Sequence, residues 1–383
     1  MEKDNPVLIH SFGVGCFHFQ KKTKLIGQNP GRVYLDEIED YLKQDNLIKE
    51  VVFSDFTETQ YIGEFVENNF SESSDLSEIE YPYPHFMSGT ISIKMTMPFR
   101  LQKEYGARFL GSLKSENLEI TIVYGGHFPV VYVSTDVIED DPSAAVSLLW
   151  KHMKKNLTEK NGIDFHMLGP SPFHADFFIY ETDERKYDVE YEESYGYDIV
   201  NFYIQKGRNL QDVKFDCQDR IKQEISTYYS IINTKNNVGT NISNLAILID
   251  KNTNFKRKTF SFWPKNQKLD IYDALIKLEK IQTQIEGAER YYKEELNTIE
   301  QKFGFIAINP KITYEIENLK DNKVGPYKNI LSTMKDRYSL ETTSNSAVKG
   351  AIAGVIVGYF LPYSKDIILY IMPIIKRIAL SII

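Results

Sequence analysis

The sequence has few of the residues that mark disulfide-bonded, zinc-bound or exported proteins. Only two of its 383 residues are cysteines, Cys16 and Cys217. Two cysteines so far apart form neither a disulfide framework nor a cysteine zinc site, and they suit a reducing compartment. Cys16 has His18 nearby but lacks the motif of a catalytic nucleophile, so we interpret it as a buried structural residue. The N-terminal stretch MEKDNPVLIHSFGVG lacks an apolar core of signal-peptide length, so we expect the bulk of the chain in the cytoplasm.

The motifs of the common nucleotide hydrolases are absent as well. The sequence contains no GxxxxGK[ST] segment and no GxGxxG after a predicted strand, so nucleotide hydrolysis by those routes has no support. The net charge of −8 excludes a uniformly basic surface that coats nucleic acid, and it is compatible with a local basic patch. Tryptophan is limited to two residues, against 25 tyrosines and 23 phenylalanines, and we assign most of these rings to core packing. We predict no cofactor.

The first 235 residues show a mixture of strand and helix patterns. In GTISIKMTMPF, apolar residues occupy every second position and so share one face of a predicted strand. The segment NLEITIVYGGHFPVVYVSTD indicates two strands joined at Gly125 and Gly126. DDPSAAVSLLWKHMKKNL follows, in which Asp140 or Asp141 caps a helix that begins at Pro142. We predict an α+β domain, in which helices cover one face of a mainly antiparallel sheet.

From about residue 205 the pattern becomes helical. Apolar residues recur every three or four positions from Ile271 to Phe303, which predicts one long helix that ends at Gly304. At 1.5 Å per residue this helix is roughly 50 Å long, a length that suits a stalk. We therefore predict a ligand-sensing α+β domain at 1–235, a helical stalk region at 236–340 and membrane-inserting helices at 346–383.

The C-terminal tail differs from the rest of the chain in its apolar character. The run AVKGAIAGVIVGYFLP contains one charged side chain and is just short of the roughly 17–25 residues that span a bilayer. Its three glycines, Gly350, Gly354 and Gly358, recur at four-residue spacing and would form a helix-packing ridge in lipid. A buried core helix is the alternative interpretation.

A second apolar run, residues 367–383, contains two cations that decide its interpretation. In a spanning helix Lys376 and Arg377 would lie near mid-membrane, where charge is unfavourable unless it faces water or a partner. Either this segment lies on the membrane surface with both cations at the headgroups, or it returns across the bilayer in an oligomer and lines a pore. The predicted fold is thus an α+β soluble domain followed by long helices and a C-terminal transmembrane helical hairpin.

The segment NFKRKTFSFWPKNQK is a distinctive cluster of cations and aromatic rings. Cations follow a phosphate backbone, and aromatic faces stack on bases. Three interpretations stay open: a site for single-stranded nucleic acid or a nucleotide signal, a contact with anionic lipid, and a loop whose rings pack in the core. The candidate ligand-binding residues are Lys256, Arg257, Lys258, Phe260, Phe262, Trp263 and Lys265.

Two aspartate–histidine pairs flank the turn GPSP and suggest metal or acid/base chemistry. The members of each pair are two residues apart and therefore share one face of a predicted strand. With His127 they could converge on a metal ion if the three strands adjoin, but no established metal-binding spacing such as HExxH is present. Solvent-facing strand residues are the alternative, and we assign neither a catalytic residue nor a metal site. The pairs are Asp164 with His166 and His174 with Asp176.

Together these features predict a membrane effector of the inner (cytoplasmic) membrane. Its cytoplasmic domain would sense a ligand, and the tails of a homo-oligomer would form a pore or perturb the lipid membrane. This layout of sensor, long helices and GAIAGVIVGYFLP resembles the channel-type effectors of bacterial anti-phage Hailong systems. The resemblance implies an oligonucleotide ligand and carries over no functional residue. The alternatives are a membrane-anchored enzyme, metal-dependent or acid/base, and a non-catalytic membrane scaffold.

Overall fold

The structure is a computed structural model that describes most of the chain. By its internal contacts the chain divides into two compact units, Met1–Asn237 with Glu286–Asp321, and Val238–Ile285 with Asn322–Ile383. The domain boundaries predicted from the sequence stay predictions. The described residues are 6–21, 30–58, 86–106, 113–156, 163–183, 188–195, 197–253, 267–320, 324–336, 339, 347, 350 and 351.

Strands provide the frame of the first unit. The described strands are β1 (Val7–Gly15), β2 (Phe17–Lys21), β3 (Ile48–Glu58), β4 (Phe86–Thr96), β5 (Asn117–Tyr124), β6 (Val130–Thr135), β7 (Ile163–Met167), β8 (Ala175–Thr182), β9 (Asp188–Glu192) and β10 (Asp198–Gln205). Eight of them form one sheet in the order β3-β4-β5-β6-β1-β8-β10-β9. Its neighbouring strands are antiparallel except β8 and β10, which are parallel. β2 and β7 pair in a separate two-stranded sheet.

Two helices that the sequence predicts are present in the structure. The predicted long helix is confirmed and ends at Gly304, whose φ of 84° suits a residue without a Cβ atom. The predicted helix after DDP is also confirmed, since Asp141 Oδ1 accepts the Ala144 N–H at 3.3 Å. The described helices are α1 (Pro30–Lys43), α2 (Phe99–Tyr105), α3 (Ser143–Asn156), α4 (Leu210–Thr253), α5 (Gln267–Phe303) and α6 (Asn309–Lys320), and residues 325–336 are also helical.

The central strands of the large sheet are covered on both faces. β6 is buried along its whole length, whereas β5 alternates between buried and more exposed residues. On one face α3 lies so close to β1 that a Cβ atom at Gly13 would be 2.5 Å from the carbonyl oxygen of Pro142. On the other face the rings of Phe12 and Phe177 stack, and the Tyr132 hydroxyl donates to a carbonyl of α4. This packing holds α3 against the sheet, and its last turns line the pocket described below.

Within the described part of the chain, no helix has the length and apolar character to cross a membrane. A spanning helix needs about 20 predominantly apolar residues, whereas α5 contains charged side chains along its whole length and the stretches of α4 between its charged residues are rich in asparagine, serine and threonine. The predicted fold class with its transmembrane hairpin was therefore wrong, and so were the membrane-protein and ion-channel assignments.

The tail on which those predictions depended is described only at its start. Gly350 is exposed, and a Cβ atom added to it would meet no heavy atom within 4 Å. Residues 352–383 lie outside the described residues, and so do the remaining glycines and cations of the prediction: Gly354, Gly358, Lys376 and Arg377.

Candidate functional site

A pocket of about 430 Å³ is lined by the end of α1, the turn after it, α2 and the last turns of α3. Its volume is in the range of roughly 300–1,000 Å³ that is typical of small-molecule sites. Two leucines contribute apolar surface, and most of the other side chains are polar. The lining residues are Tyr41, Gln44, Asp45, Asn46, Leu47, Leu101, Tyr105, His152, Lys155 and Asn156.

Asp45 is fixed in this pocket by hydrogen bonds to both of its carboxylate oxygens. Oδ1 accepts the Leu47 N–H at 2.9 Å, and Oδ2 lies 2.5 Å from Nε2 of His152. The Asp45 side chain is only 6% exposed. Burial by itself would raise the pKa of Asp45, but the hydrogen bonds from His152 and Leu47 outweigh burial and lower the pKa below its ordinary value. Asp45 is therefore a buried carboxylate that stays ionised.

His152 joins Asp45 to Asn156 from the last turns of α3. Its side chain is 2% exposed, and its Nδ1 lies 2.8 Å from Nδ2 of Asn156. An amide nitrogen can only donate, so Nδ1 accepts this hydrogen bond and Nε2 donates its hydrogen to Asp45. The edge of the imidazole ring also packs against Tyr105, with ring centroids 5.7 Å apart. Both ring nitrogens are thus engaged within the protein.

Tyr105 and Lys155 form the rim of the pocket on the side of α2. Lys151 Nζ donates to the Tyr105 carbonyl oxygen at 2.8 Å, which fixes the end of α2 against α3. Lys155 Nζ lies 5.1 Å from the centroid of the Tyr105 ring and 2.5 Å from Oε1 of Glu104. The hydrogen bond to Glu104 raises the pKa of Lys155, so a positive charge is present beside the pocket at all physiological pH values.

The chemistry of the pocket favours binding over catalysis. A general acid or base must reach the substrate with a free atom, but both nitrogens of His152 and both oxygens of Asp45 are hydrogen-bonded within the protein. No serine, threonine or cysteine is among the lining residues that the structure describes. The side chains that remain for a ligand are carboxamides, two tyrosines, two leucines and a lysine.

Replacing Asp45 by asparagine is expected to lower the free energy of unfolding by about 2 kcal/mol near neutral pH, since a hydrogen bond to a charged group contributes roughly 1.5–3 kcal/mol. The folded-state pKa is lowered, so the carboxylate contributes this stability above its unfolded-state pKa of 3.8 and loses it as the pH falls through the folded-state pKa. Urea unfolding of both proteins at neutral pH and at about pH 3 measures the effect. A stability difference that is equal at the two pH values would contradict this prediction.

His127, which the sequence associated with a metal site, belongs to a separate polar cluster. Its Nε2 lies 2.9 Å from Oε1 of Glu295 and 3.3 Å from the Tyr291 hydroxyl. The Thr227 hydroxyl donates to the same Glu295 oxygen at 3.0 Å. This cluster joins the β5–β6 hairpin to α4 and α5, and it contains neither of the aspartate–histidine pairs.

The two aspartate–histidine pairs lie in different sheets. His166 is paired with His18, and Asp164 with Gln20, in the two-stranded sheet of β2 and β7. The second pair is associated with β8, in the large sheet. Within the described residues, no group of three or more histidine, cysteine, aspartate or glutamate side chains could hold a metal ion. The structure therefore does not bring the two pairs together around one site.

The second pair supports the start of α3. The buried carboxylate of Asp176 accepts the Ser143 N–H at 2.9 Å, and burial raises the pKa of Asp176. The ring of His174 packs against Tyr197 with centroids 5.8 Å apart, and burial lowers the pKa of His174. The contact of Asp176 is structural, since it satisfies an N–H group of the first turn of α3.

The predicted structural role of Cys16 is confirmed by its burial. The thiol is inaccessible, and burial raises its pKa, which opposes formation of the thiolate nucleophile. The basic and aromatic segment, residues 256–265, lies outside the described residues. Its role in ligand binding therefore stays a prediction.

Sequence reasoning missed the group formed by Asp45, His152 and Asn156. His152 and Asn156 are four residues apart and so share a face of α3, which is a recognisable signal of a polar patch. Asp45 lies in the short turn after α1, and an aspartate in a turn is too common a pattern to indicate a site. The two halves are 107 positions apart in the sequence, and no periodicity connects them.

Comparison with known proteins adds no relative to this description. Nothing matched the chain significantly among protein-family models, curated proteins or solved structures.

Proposed function

We propose that the first unit is a non-catalytic binding domain for a nucleotide and that the pocket lined by α1, α2 and α3 is its ligand site. The observation that carries this proposal is the combination of three carboxamides, two tyrosine rings and a lysine around one pocket. The buried pair of Asp45 and His152 keeps the pocket in shape, because its hydrogen bond joins the turn after α1 to the last turns of α3. A pocket that is shaped in advance lowers the entropic cost of binding.

The carboxamides suit the base of a nucleotide. Asparagine and glutamine side chains offer one donor and one acceptor side by side, which matches the hydrogen-bonding edge of a base. Gln44 and Asn46 are exposed at the pocket, so a ligand can reach both polar atoms of each amide, whereas Asn156, whose nitrogen donates to His152, offers a ligand only its oxygen. Leu47 and Leu101 supply apolar surface for the faces of the ring.

Lys155 suits the phosphate group. Its Nζ is at the rim, and its present partner is the exposed carboxylate of Glu104. A phosphate group can replace an exposed carboxylate partner at little cost, because exposed ion pairs contribute little free energy. The ligand would thus place its base among the carboxamides and its phosphate at the α2 side.

Isothermal titration calorimetry of the full chain with mononucleotides, cyclic dinucleotides and the matching nucleosides tests this proposal. Replacing Lys155 by alanine is expected to weaken nucleotide binding about ten-fold and to leave nucleoside binding unchanged, because only the nucleotide has a phosphate group. Lys154→Ala is the matched control, since Lys154 lies over the ring of Trp150 and does not line the pocket. Asn46→Leu, which keeps the branching of the side chain and removes the amide, is expected to weaken binding of both ligands.

Two results would overturn the assignment. Equal weakening by the two lysine variants would mean that nucleotides respond to the general charge of α3 and not to the pocket. If no nucleotide or nucleoside bound at millimolar concentration, nucleotides would be excluded as the ligand class. Circular dichroism of each variant serves as the control that its fold is intact.

A further inference from the structure

We infer that β9 is a docking edge for an extended lysine- or arginine-rich peptide segment of a partner protein. In the described part of the chain, β9 is the last strand at its end of the large sheet, and β10 is its neighbour. A strand in this position has a row of backbone N–H and C=O groups on its outer side. Addition of a peptide strand to such an edge is a common mode of peptide recognition.

The charge on β9 is entirely negative on its exposed side. Asp188, Glu190 and Glu192 are exposed, and the two residues between them, Val189 and Tyr191, are partly buried. Because side chains alternate along a strand, the three carboxylates share one face of the sheet. A second copy of this edge would bring like charges together, which is unfavourable across strands. The charge therefore favours a basic partner over pairing of two copies of this chain.

Two tyrosine rings lie on the same face as the carboxylates. Tyr180 and Tyr203 stack with centroids 5.5 Å apart, and both are partly exposed. The Tyr203 hydroxyl donates to Oε2 of Glu190 at 2.9 Å, which places the rings beside the acidic row. Aromatic faces attract the cationic ends of lysine and arginine, so the rings and the carboxylates select the same kind of side chain.

Asn201 provides a separate indication of a cationic ligand. Its side chain is 6% exposed, and its Nδ2 donates to Oε1 of Glu192 at 3.2 Å. The Oδ1 atom of the same amide is buried, and no hydrogen-bond partner for it is present among the described residues. A buried acceptor without a donor is unfavourable. A lysine or arginine N–H that reaches Glu192 would also supply the donor that this oxygen lacks.

Fluorescence anisotropy of the full chain with a labelled peptide of alternating lysine and valine residues tests the inference. The double variant Glu190→Gln and Glu192→Gln is expected to weaken binding about ten-fold, since it removes two of the three carboxylates. The matched control is Glu294→Gln with Glu300→Gln, which removes the same charge from exposed positions of α5. The control is expected to change the affinity less than two-fold.

A second peptide distinguishes strand addition from simple charge attraction. N-methylation of alternate peptide amides keeps every charge and blocks one hydrogen-bonding side of the backbone, so it is expected to abolish binding. Equal binding of the methylated peptide would overturn strand addition. Equal weakening by the two double variants would overturn the location at β9, and equal binding of a glutamate–valine peptide, or no binding of the lysine peptide, would overturn the partner class.

Discussion

The substitution Gly13→Ala is expected to lower the free energy of unfolding by about 3 kcal/mol, which is at the upper end of the cost of overpacking a protein core. The added Cβ atom would lie 2.5 Å from the carbonyl oxygen of Pro142 and 2.7 Å from Cγ2 of Val146. The first of these neighbours is backbone at the start of α3, which cannot move without disturbing the cap of that helix. Urea unfolding monitored by circular dichroism measures the change.

Gly287→Ala is the matched control for this substitution. Gly287 is in the middle of α5, is exposed, and has open space where a Cβ atom would be added. Alanine favours a helix interior by about 1 kcal/mol over glycine, so this variant is expected to raise the free energy of unfolding. If Gly13→Ala were as stable as the unmodified protein, α3 would not lie as close to β1 as the structure shows.

Glu224 is expected to make the stability of the protein depend on pH across the neutral range. The side chain is fully buried, and its Oε2 accepts the Ile308 N–H at 3.0 Å, just before α6 begins. Burial raises the pKa of Glu224 to about 7, and the hydrogen bonds from Ala307 and Ile308 and the charge of Arg220 oppose this shift only in part. Above about pH 7, the Glu224 carboxyl group is therefore ionised in the interior of the folded protein.

The sign of the pH dependence follows from comparing the two states. An unfolded glutamate loses its proton near pH 4.5, whereas the folded protein holds the proton of Glu224 until about pH 7. Between these values the unfolded state binds fewer protons, so the free energy of unfolding falls as the pH rises. At slightly alkaline pH, this difference between the two pKa values lowers the free energy of unfolding by roughly 3 kcal/mol.

The variant Glu224→Gln isolates this effect. Glutamine keeps an oxygen for the Ile308 N–H and cannot ionise, so it is expected to remove the dependence on pH between about 5 and 8. Relative to the unmodified protein, it should become more stable by roughly 3 kcal/mol as the pH rises across that window. Urea unfolding at several pH values measures the difference, with the exposed Glu294→Gln as the control. A difference that is constant across the window would show that Glu224 does not titrate there.

Local elements were predictable because their signals lie within a few residues of each other. The helix α5 follows from its apolar spacing and from Gly304 at its end, and the hairpin of β5 and β6 follows from Gly125 and Gly126. The cap at Asp141 also depends on residues three positions apart. Each of these features has a cause in backbone geometry or in side-chain periodicity.

The candidate site was not predictable by the same means. Gln44, Asn46 and Lys155 look like ordinary exposed residues in the sequence, and they share a pocket only because the ends of α1 and α3 lie near each other. The two aspartate–histidine pairs could have shared a site only if their strands adjoined, and the structure places them with different sheets. A spacing of two residues indicates that two side chains share one face of a strand, but it does not indicate which strand pairs with that strand.

The sequence by itself determined that α3 and α5 are helices, that α5 ends at Gly304, where the hairpin turns, and that Cys16 is buried. Only the tertiary structure decided that β1 lies between β6 and β8, that Asp45 meets His152, and that β9 is the last described strand at its end of the sheet. The physical reason is that turns, caps and periodicity act over a few residues, whereas strand order and pockets depend on contacts between distant segments. An apolar face specifies that a segment must be buried, and the whole fold specifies what buries it.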